Sequence, residues 1–187
     1  MLIEYKEITS DRLVEYSKIE SKYSVTKKYE IKKINNGLGG LLLDLIDVEE
    51  YTRDFGDGVG RLSDKFDLSN WKFYIAFDGT RLVGGCIVAT KTPNVNMLEG
   101  REDLAVLWDI RVIEEYKYQG IGQHLFDLAK NFAKENGFKQ LKIECQNTNP
   151  IAVKFYHKQG AVLSAINEYA YSDYKNEVQL LWYLNID

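Results

Sequence analysis

Hydrophobic and polar positions change period several times along the chain, and each change marks an element. Residues 2–8 read as a short strand. Over residues 10–21, Leu13, Tyr16 and Ile19 recur at helical spacing behind Ser10 or Asp11 as cap. Residues 25–34 read as a strand with Tyr29 and Ile31 on one face, and Asn36–Gly40 as a flexible turn. Residues 41–48 fit strand or helix. Residues 52–70 are polar and glycine-punctuated, which predicts a mobile loop. Residues 71–77 and Arg81–Thr90 are strands joined at Asp78-Gly79, a tight-hairpin signal. A second loop covers 91–103, and 104–112 is a strand.

From Gly120 the period becomes helical. Ile121, Leu125, Leu128, Ala129 and Phe132 share one face, and Asn136-Gly137 ends the helix. Lys139–Cys145 alternates as a strand, with Leu141, Ile143 and Cys145 inward against Lys142 and Glu144. Asn149 caps a helix that opens on Pro150 and closes at Gly160, with Ala152, Phe155 and Tyr156 on its inner face. Strands near 161–171 and 177–185 finish the chain. The aromatic-rich last strand, with Trp182 and Tyr183, fits either an edge that pairs with a second copy, hence a homodimer, or an inner position. The strand–helix–strand at 104–145 is a crossover between parallel strands in an otherwise antiparallel sheet.

The composition narrows the function. The 187 residues, 45% hydrophobic, suffice for one domain over 1–187 with a sizeable core. A net charge of −4 without a basic block argues against nucleic acid or an anionic membrane as partner. Cys86 and Cys145 form no CxxC pair, and His124 and His157 have no ligand-like neighbours, so no metal site is expected. Met1–Glu7 has no signal-peptide core and no apolar run reaches the ~20 residues of a membrane span, which predicts a cytoplasmic location.

Val112 to Gly122 carries the chemistry. A Gly-x-Gly turn between strand and helix lets a ligand approach the backbone, and the helix aims its positive dipole end at the same spot. That suits a phosphate-bearing cofactor. Lys117-x-x-Gly120-x-Gly122, followed some 30 residues on by Asn149, Ala152, Phe155, Tyr156 and Gly160 in register, resembles the two signatures of the GNAT family of acyl-CoA-dependent N-acetyltransferases. The resemblance covers about residues 71–185, with the cofactor core at about 71–160. It implies an α+β fold: a mixed, mostly antiparallel central sheet, helices on both faces, and a splayed parallel strand pair at the cofactor site. Lys117 stands where Arg or Gln is usual, Tyr118 where glycine is frequent, Glu114 where proline is frequent and Ala161 where phenylalanine is common. Lys117 keeps the charge but not the planar fork of arginine.

Trp108–Val112, Leu141–Asn147, Glu177–Tyr183 and Tyr51-Thr52-Arg53-Asp54-Phe55 are similar to stretches of streptothricin acetyltransferases, which acetylate an amine of a cationic antibiotic. The resemblance implies acetyl-CoA as cofactor, a small-molecule amine as substrate, and direct attack in a ternary complex. The same chemistry on a protein or peptide amine, and a sensor that binds acyl-CoA without turnover, are the alternatives.

Acetyl transfer requires a deprotonated amine, a stabilised oxyanion and a protonated leaving thiol. Asp109 and Glu144 are candidates for the first, as base through a water or as holder of the ammonium. Backbone amides of Ile110, Arg111 and Val112 are candidates for the second. Tyr156 is the candidate acid, against a plain packing role for the Phe155-Tyr156 pair. Lys117, Gln119, Gly120, Ile121 and Gly122 are expected around the pyrophosphate. Asn149 is expected on the pantetheine arm, although capping alone explains it, and Tyr118, Gln123, Ala152, Phe155 and Tyr156 are expected elsewhere against the cofactor. Trp108, Tyr51, Asp54, Glu168, Tyr169 and Tyr171 are candidates for the acceptor site, with Trp108 equally suited to the core.

Overall fold

The computed structural model describes residues 2–56, 58–174 and 176–186. They hold nine strands in a mixed α+β arrangement that is mostly antiparallel, with one parallel pair. They divide into two compact units. The first holds residues up to Lys22, Phe55–Ile143, and the stretch from Asn185; the second holds Tyr23–Asp54 and Glu144–Leu184.

In the first unit the strands are β1 (Ile3–Ile8), β4 (Lys72–Asp78), β5 (Arg81–Thr90), β6 (Leu104–Val112) and the first half of β7 (Gln140–Gln146), in the order β1-β4-β5-β6-β7. The helices are α1 (Leu13–Tyr16) and α2 (Ile121–Glu135). β4 and β5 form the expected hairpin, with Asp78 paired to Arg81 across Gly79-Thr80 and Gly79 at φ +59°. Their register explains two adjacent glycines. A Cβ at Gly84 would meet the Arg111 carbonyl at 2.9 Å and Ile121 Cγ2 at 3.4 Å; one at Gly85 would meet Tyr16 Cε2 at 2.6 Å and the Tyr74 carbonyl at 2.7 Å. Neighbouring strand residues point to opposite faces, so α1 lies on one face of this sheet and α2 on the other.

α2 buries Ile121, Leu125, Phe126, Ala129 and Ala133, while Leu128 and Phe132 of the expected stripe are half-buried. Gly137, at φ +75°, ends it: its N–H bonds the Lys134 carbonyl and that of Phe138 the Ala133 carbonyl. The parallel ladder between β6 and β7 runs from Leu104↔Gln140 to Leu107↔Ile143. Opposite the end of that ladder, the β5–β6 register slips between Ile87 and Val88, leaving Trp108 as the extra residue of a bulge.

Three expectations change here. The helix over 10–21 shrinks to one α-turn behind a 3-10 turn at Ser10–Arg12: past Ser17 the backbone tightens to i→i−3 bonds, Lys18 to Glu15 and Ile19 to Tyr16, and the Ser17 hydroxyl bonds the Val14 carbonyl at 2.9 Å. The segment 52–70 is not simply a loop. Thr52–Asp54 continue a strand, and a 3-10 turn at Gly58–Asp64 buries Val59 and Leu62, which join Leu13, Tyr16, Ile19, Leu68 and Trp71 in one core. Lys142 is buried, its ammonium 2.7 Å from Glu99, although the alternation placed it outward.

The second unit contains a two-stranded ribbon, β2 (Lys22–Lys33) and β3 (Leu41–Asp54), which decides residues 41–48 as strand. The turn between them carries Asn35, Asn36 and Gly37 at positive φ. The end of β7 neighbours β9 (Gln179–Asn185), which in turn pairs antiparallel with β8 (Val162–Asn167). β9 therefore runs between two strands with Trp182 buried, and it is not an edge. α3 (Pro150–Lys158) starts on Asn149, whose Oδ1 accepts from the Ala152 N–H at 3.0 Å. Its buried residues are Val153 and Tyr156; Ala152 and Phe155 are only half-buried, one position off the expected inner face. Asn147 pins the unit together. Its side chain donates to the Tyr29 carbonyl and accepts from the Val178 N–H, both at 2.8 Å, and its own N–H and C=O bond the same two residues.

Candidate active site

The turn into α2 has the form the glycine spacing predicts. Tyr118 sits at φ +61° with its ring 83% exposed, and Gly120 at φ +85° is the N-cap. Gly120 has no side chain to cap the helix, so the Ile121 and Gly122 amides face out of the first turn without a backbone acceptor among the described residues. Gly122 has ordinary helical φ, and a Cβ there would meet only Val112 Cγ2, at 3.8 Å. Nothing inside the protein requires glycine at this position. What it preserves is open space over the helix N-terminus, where the dipole and the amides favour an anion. A phosphate-bearing cofactor fits this turn.

The two departures at 114 and 117 are coupled, since the Lys117 ammonium pairs with the Glu114 carboxylate. Gln119 turns its amide to the Glu115 carbonyl at 2.8 Å, and Gln123 turns its own to Asp127 at 3.2 Å. The side chains of Lys117, Gln119 and Gln123 are thus engaged by the protein itself, which makes the backbone amides the candidate anion ligands.

Along β6, the Ile113 N–H donates to the Val83 carbonyl at 3.0 Å. Strand N–H groups alternate sides, so the Arg111 N–H also faces β5, while those of Ile110 and Val112 face the opposite edge. That narrows the candidate oxyanion donors from three amides to two.

The Asp109 side chain is enclosed by donors. The Tyr16 hydroxyl bonds Oδ2 at 2.5 Å, and Arg111 grips both oxygens, Nε at 2.7 Å and Nη2 at 3.0 Å. Arg111 completes its set on the Ile19 carbonyl at 3.1 Å. Burial works against the Arg111 charge and the Asp109 carboxylate outweighs it. Burial first, then the same carboxylate, pushes the Tyr16 phenol well above its usual range. Asp109 is thus one half of a nearly neutral pair. Trp108 goes to the core, its ring 5.0 Å from Trp71 and 5.5 Å from Phe66.

In the second unit, Tyr156 is buried, with its ring 5.5 Å from Phe155 in an edge-on arrangement. Glu144 and Tyr171, expected in different roles, come together. The Tyr171 hydroxyl donates to Glu144 Oε1 at 2.6 Å, Gln179 donates to Oε2 at 2.8 Å, and Gln146 donates to the Tyr171 oxygen at 2.9 Å. Burial, then the Glu144 charge, raises the Tyr171 phenol. Glu168 pairs with Lys33, and Tyr169 is 89% exposed.

Tyr51 lines a cleft of about 330 Å3 together with Asp173, Tyr174, Asn176 and Glu177. Glu177, one of its lining residues, belongs to a buried ion pair: Arg53 grips it through Nε at 2.6 Å and Nη2 at 3.2 Å, stacks 3.8 Å from the Tyr174 ring, and bonds the Asp54 carbonyl at 2.7 Å. The pair joins two of the stretches quoted above, Tyr51–Phe55 and Glu177–Tyr183. Asp54 does not line this cleft: its backbone carbonyl accepts from Arg53 and the residue is exposed. Gln146, Gln179, Tyr16 and Tyr174 were not identified from the sequence. Gln146 and Gln179 carry no charge to flag them, and Tyr16 reads as one more apolar position of its helix.

Both thiols are buried and protonated: burial raises Cys86 above its usual range and Cys145 to about 12. Neither has the thiolate character of a nucleophile.

The model of the acetyltransferase (GNAT) family matches residues 42–161, more than half the chain. Streptothricin acetyltransferase A of Bacillus subtilis (strain 168) is 36% identical over 81 residues, 42% of this chain and 47% of that protein, so the matched stretch spans about half the length of this curated relative. The crystal structure of nourseothricin acetyltransferase superposes with a TM-score of 0.80 at 19% identity over the whole of both chains. A crystal structure of a Bacillus anthracis str. Ames protein in complex with acetyl coenzyme A superposes at 0.76 with 24% identity, covering 100% of this chain and 99% of that one. At these identities the two structures bear on the fold, and the family match bears on membership. The chain belongs to the acetyltransferase (GNAT) family.

Proposed function

We propose that the protein is an N-acetyltransferase that moves an acetyl group from acetyl-CoA to a primary amine of a small cationic molecule, of which a streptothricin-type antibiotic is the favoured example. The observation that carries this reading is the turn at Gly120–Gly122, where the Ile121 and Gly122 amides open the helix without a backbone acceptor among the described residues and with open space beside Gly122. The identity to streptothricin acetyltransferase A supports the acceptor class.

Acetyl-CoA supplies the activated acetyl group. The Ile121 and Gly122 amides bind its pyrophosphate, and the Ile110 and Val112 N–H groups are the donors for the thioester oxygen. Tyr156 is assigned the proton for the leaving sulfur, on the register Asn149, Ala152, Phe155, Tyr156. The two buried, protonated thiols support direct attack by the amine without a covalent acyl-enzyme. The protein acts in the cytoplasm in this reading.

The test is thiol release from acetyl-CoA with streptothricin, polyamines and amino-terminal peptides as acceptors. Turnover with streptothricin supports the proposal. Turnover with peptides alone replaces the acceptor class. Tight cofactor binding with no turnover on any amine makes the protein a sensor.

A further inference from the structure

Of the two carboxylates the sequence offers for the amine, the geometry distinguishes sharply between them. Asp109 accepts three hydrogen bonds, two from the Arg111 guanidinium, which cancels its charge. Glu144 accepts two, one on each oxygen, from a phenol and a carboxamide. A carboxylate has about four acceptor sites, so about two remain on Glu144. No Lys or Arg pairs with it among the described residues. Its strand position is half-buried, where a carboxylate serving only the fold is normally paired with a cation.

We propose that Glu144 holds the ammonium group of the acceptor, and that Tyr171, Gln146 and Gln179 are positioning residues that fix its carboxylate without cancelling its charge. This assignment rests on the acetyltransferase reading and deepens it by naming the group that selects a cationic amine.

The arrangement has an internal logic. Gln146 and Glu144 lie two apart on β7 and so project from the same face. Gln146 donates to the Tyr171 oxygen, which commits the phenolic hydrogen to Glu144. Gln179, from β9, holds the other oxygen. Each donor is neutral, so these bonds set both C–O directions without cancelling the charge of the carboxylate. An alkyl ammonium has three donors and matches the acceptor sites left over. A substrate without a cation gains nothing there. The same carboxylate explains why Tyr171 stays protonated: burial raises its phenol, and the adjacent negative charge adds to this. Tyr171 therefore remains a donor across the range in which an enzyme works.

The experiment uses the full chain and two readouts. Calorimetric binding of streptothricin is measured without acyl donor, and the steady-state KM and kcat for streptothricin are measured with acetyl-CoA. Glu144→Gln keeps the shape and one acceptor oxygen but removes the charge. It is expected to weaken streptothricin binding and to raise KM by tenfold or more, with the KM for acetyl-CoA and the melting temperature near those of the wild type. Tyr171→Phe, which leaves Glu144 charged but loosely held, is expected to raise KM less. Gln179→Glu, which sets a second carboxylate beside the first and removes a donor, tests the positioning from the other side and is expected to raise KM as well. If the wild type acetylates streptothricin and Glu144→Gln does so with unchanged KM and unchanged binding, the assignment is overturned while the acetyltransferase reading stands. If the wild type binds acetyl-CoA but neither binds nor acetylates any amine, that reading fails and takes the assignment with it.

Discussion

Replacing Gly122 by alanine separates a structural role from a binding role, because the two predict opposite signs. Gly122 is the second residue of α2, at ordinary helical φ, and a Cβ there finds only Val112 Cγ2 at 3.8 Å, an ordinary contact. The substitution introduces no clash and removes glycine's excess of unfolded-state freedom, worth up to about 1 kcal/mol in a helix. For a chain of this size that raises the melting temperature by up to about 2–4 °C. The same methyl takes up part of the open space beside the Ile121 and Gly122 amides, which a phosphate oxygen would have to approach to within about 3 Å. Losing one hydrogen bond to a charged group costs about 1.5–3 kcal/mol, or roughly ten- to a hundredfold in affinity. Differential scanning fluorimetry and calorimetric titration with coenzyme A read the two quantities. A variant that melts at or above the wild-type temperature and binds coenzyme A more weakly supports the account. One that binds coenzyme A as the wild type does would refute the reasoning about the turn. Gly120→Ala is less informative, because φ +85° strains any alanine there and both readouts fall together.

Asp109→Asn is expected to act mainly on stability. It leaves the nearly buried Arg111 guanidinium without its carboxylate, a loss of about 3 kcal/mol, at the low end for a buried pair because the Asp109 side chain is 20% exposed. A thermal melt should fall by about 6–12 °C, and a melt within a degree or two of wild type counts against the pairing. At alkaline pH the buried phenols set the limit. Tyr16 and Tyr171 titrate above the usual range and Tyr23 at about 12, all chiefly through burial. Because their folded values lie above the unfolded value near ~10, the stability they contribute is whole below pH ~10 and is lost as pH rises through the folded values. Absorbance at phenolate wavelengths should show a slow fraction of the 13 tyrosines ionising only with loss of the near-ultraviolet dichroism. A single smooth titration ahead of unfolding would contradict the burial of these rings.

The parts of the fold written in local patterns were legible. The Asp78-Gly79 hairpin signal, the strand at Leu104–Val112, the Gly120 turn, the Asn149 cap and the Gly137 terminator each rest on residues within one turn or one strand of each other, and each stands where the sequence places it. What could not be read depends on distant partners. Lys142 is buried because Glu99, far along the chain, meets it. Val59 and Leu62 have the spacing of a buried turn, but the glycines around them suggest a loop until the core that receives them is known. Residues 41–48 offer leucines at every spacing, and pairing with β2 decides them as strand. The candidate site divides in the same way. Its glycines and its carboxylates were visible as residue types. Arg111, which neutralises Asp109, lies two residues along the same strand, but that Glu144 is held by a phenol and one carboxamide, with a second carboxamide on the phenol, depends on side chains from separate segments, which no spacing reveals. The two resemblances also resolve into distinct roles: Asn147, Arg53 and Glu177, in the stretches similar to streptothricin acetyltransferases, are ties within the fold.

The most direct test of the acetyltransferase reading is thiol release from acetyl-CoA by the purified protein with streptothricin as acceptor. The account predicts release that depends on both substrates, with the product acetylated on a primary amine. Binding of acetyl-CoA with no release above the rate without acceptor, across streptothricin, polyamines and peptides, would contradict it.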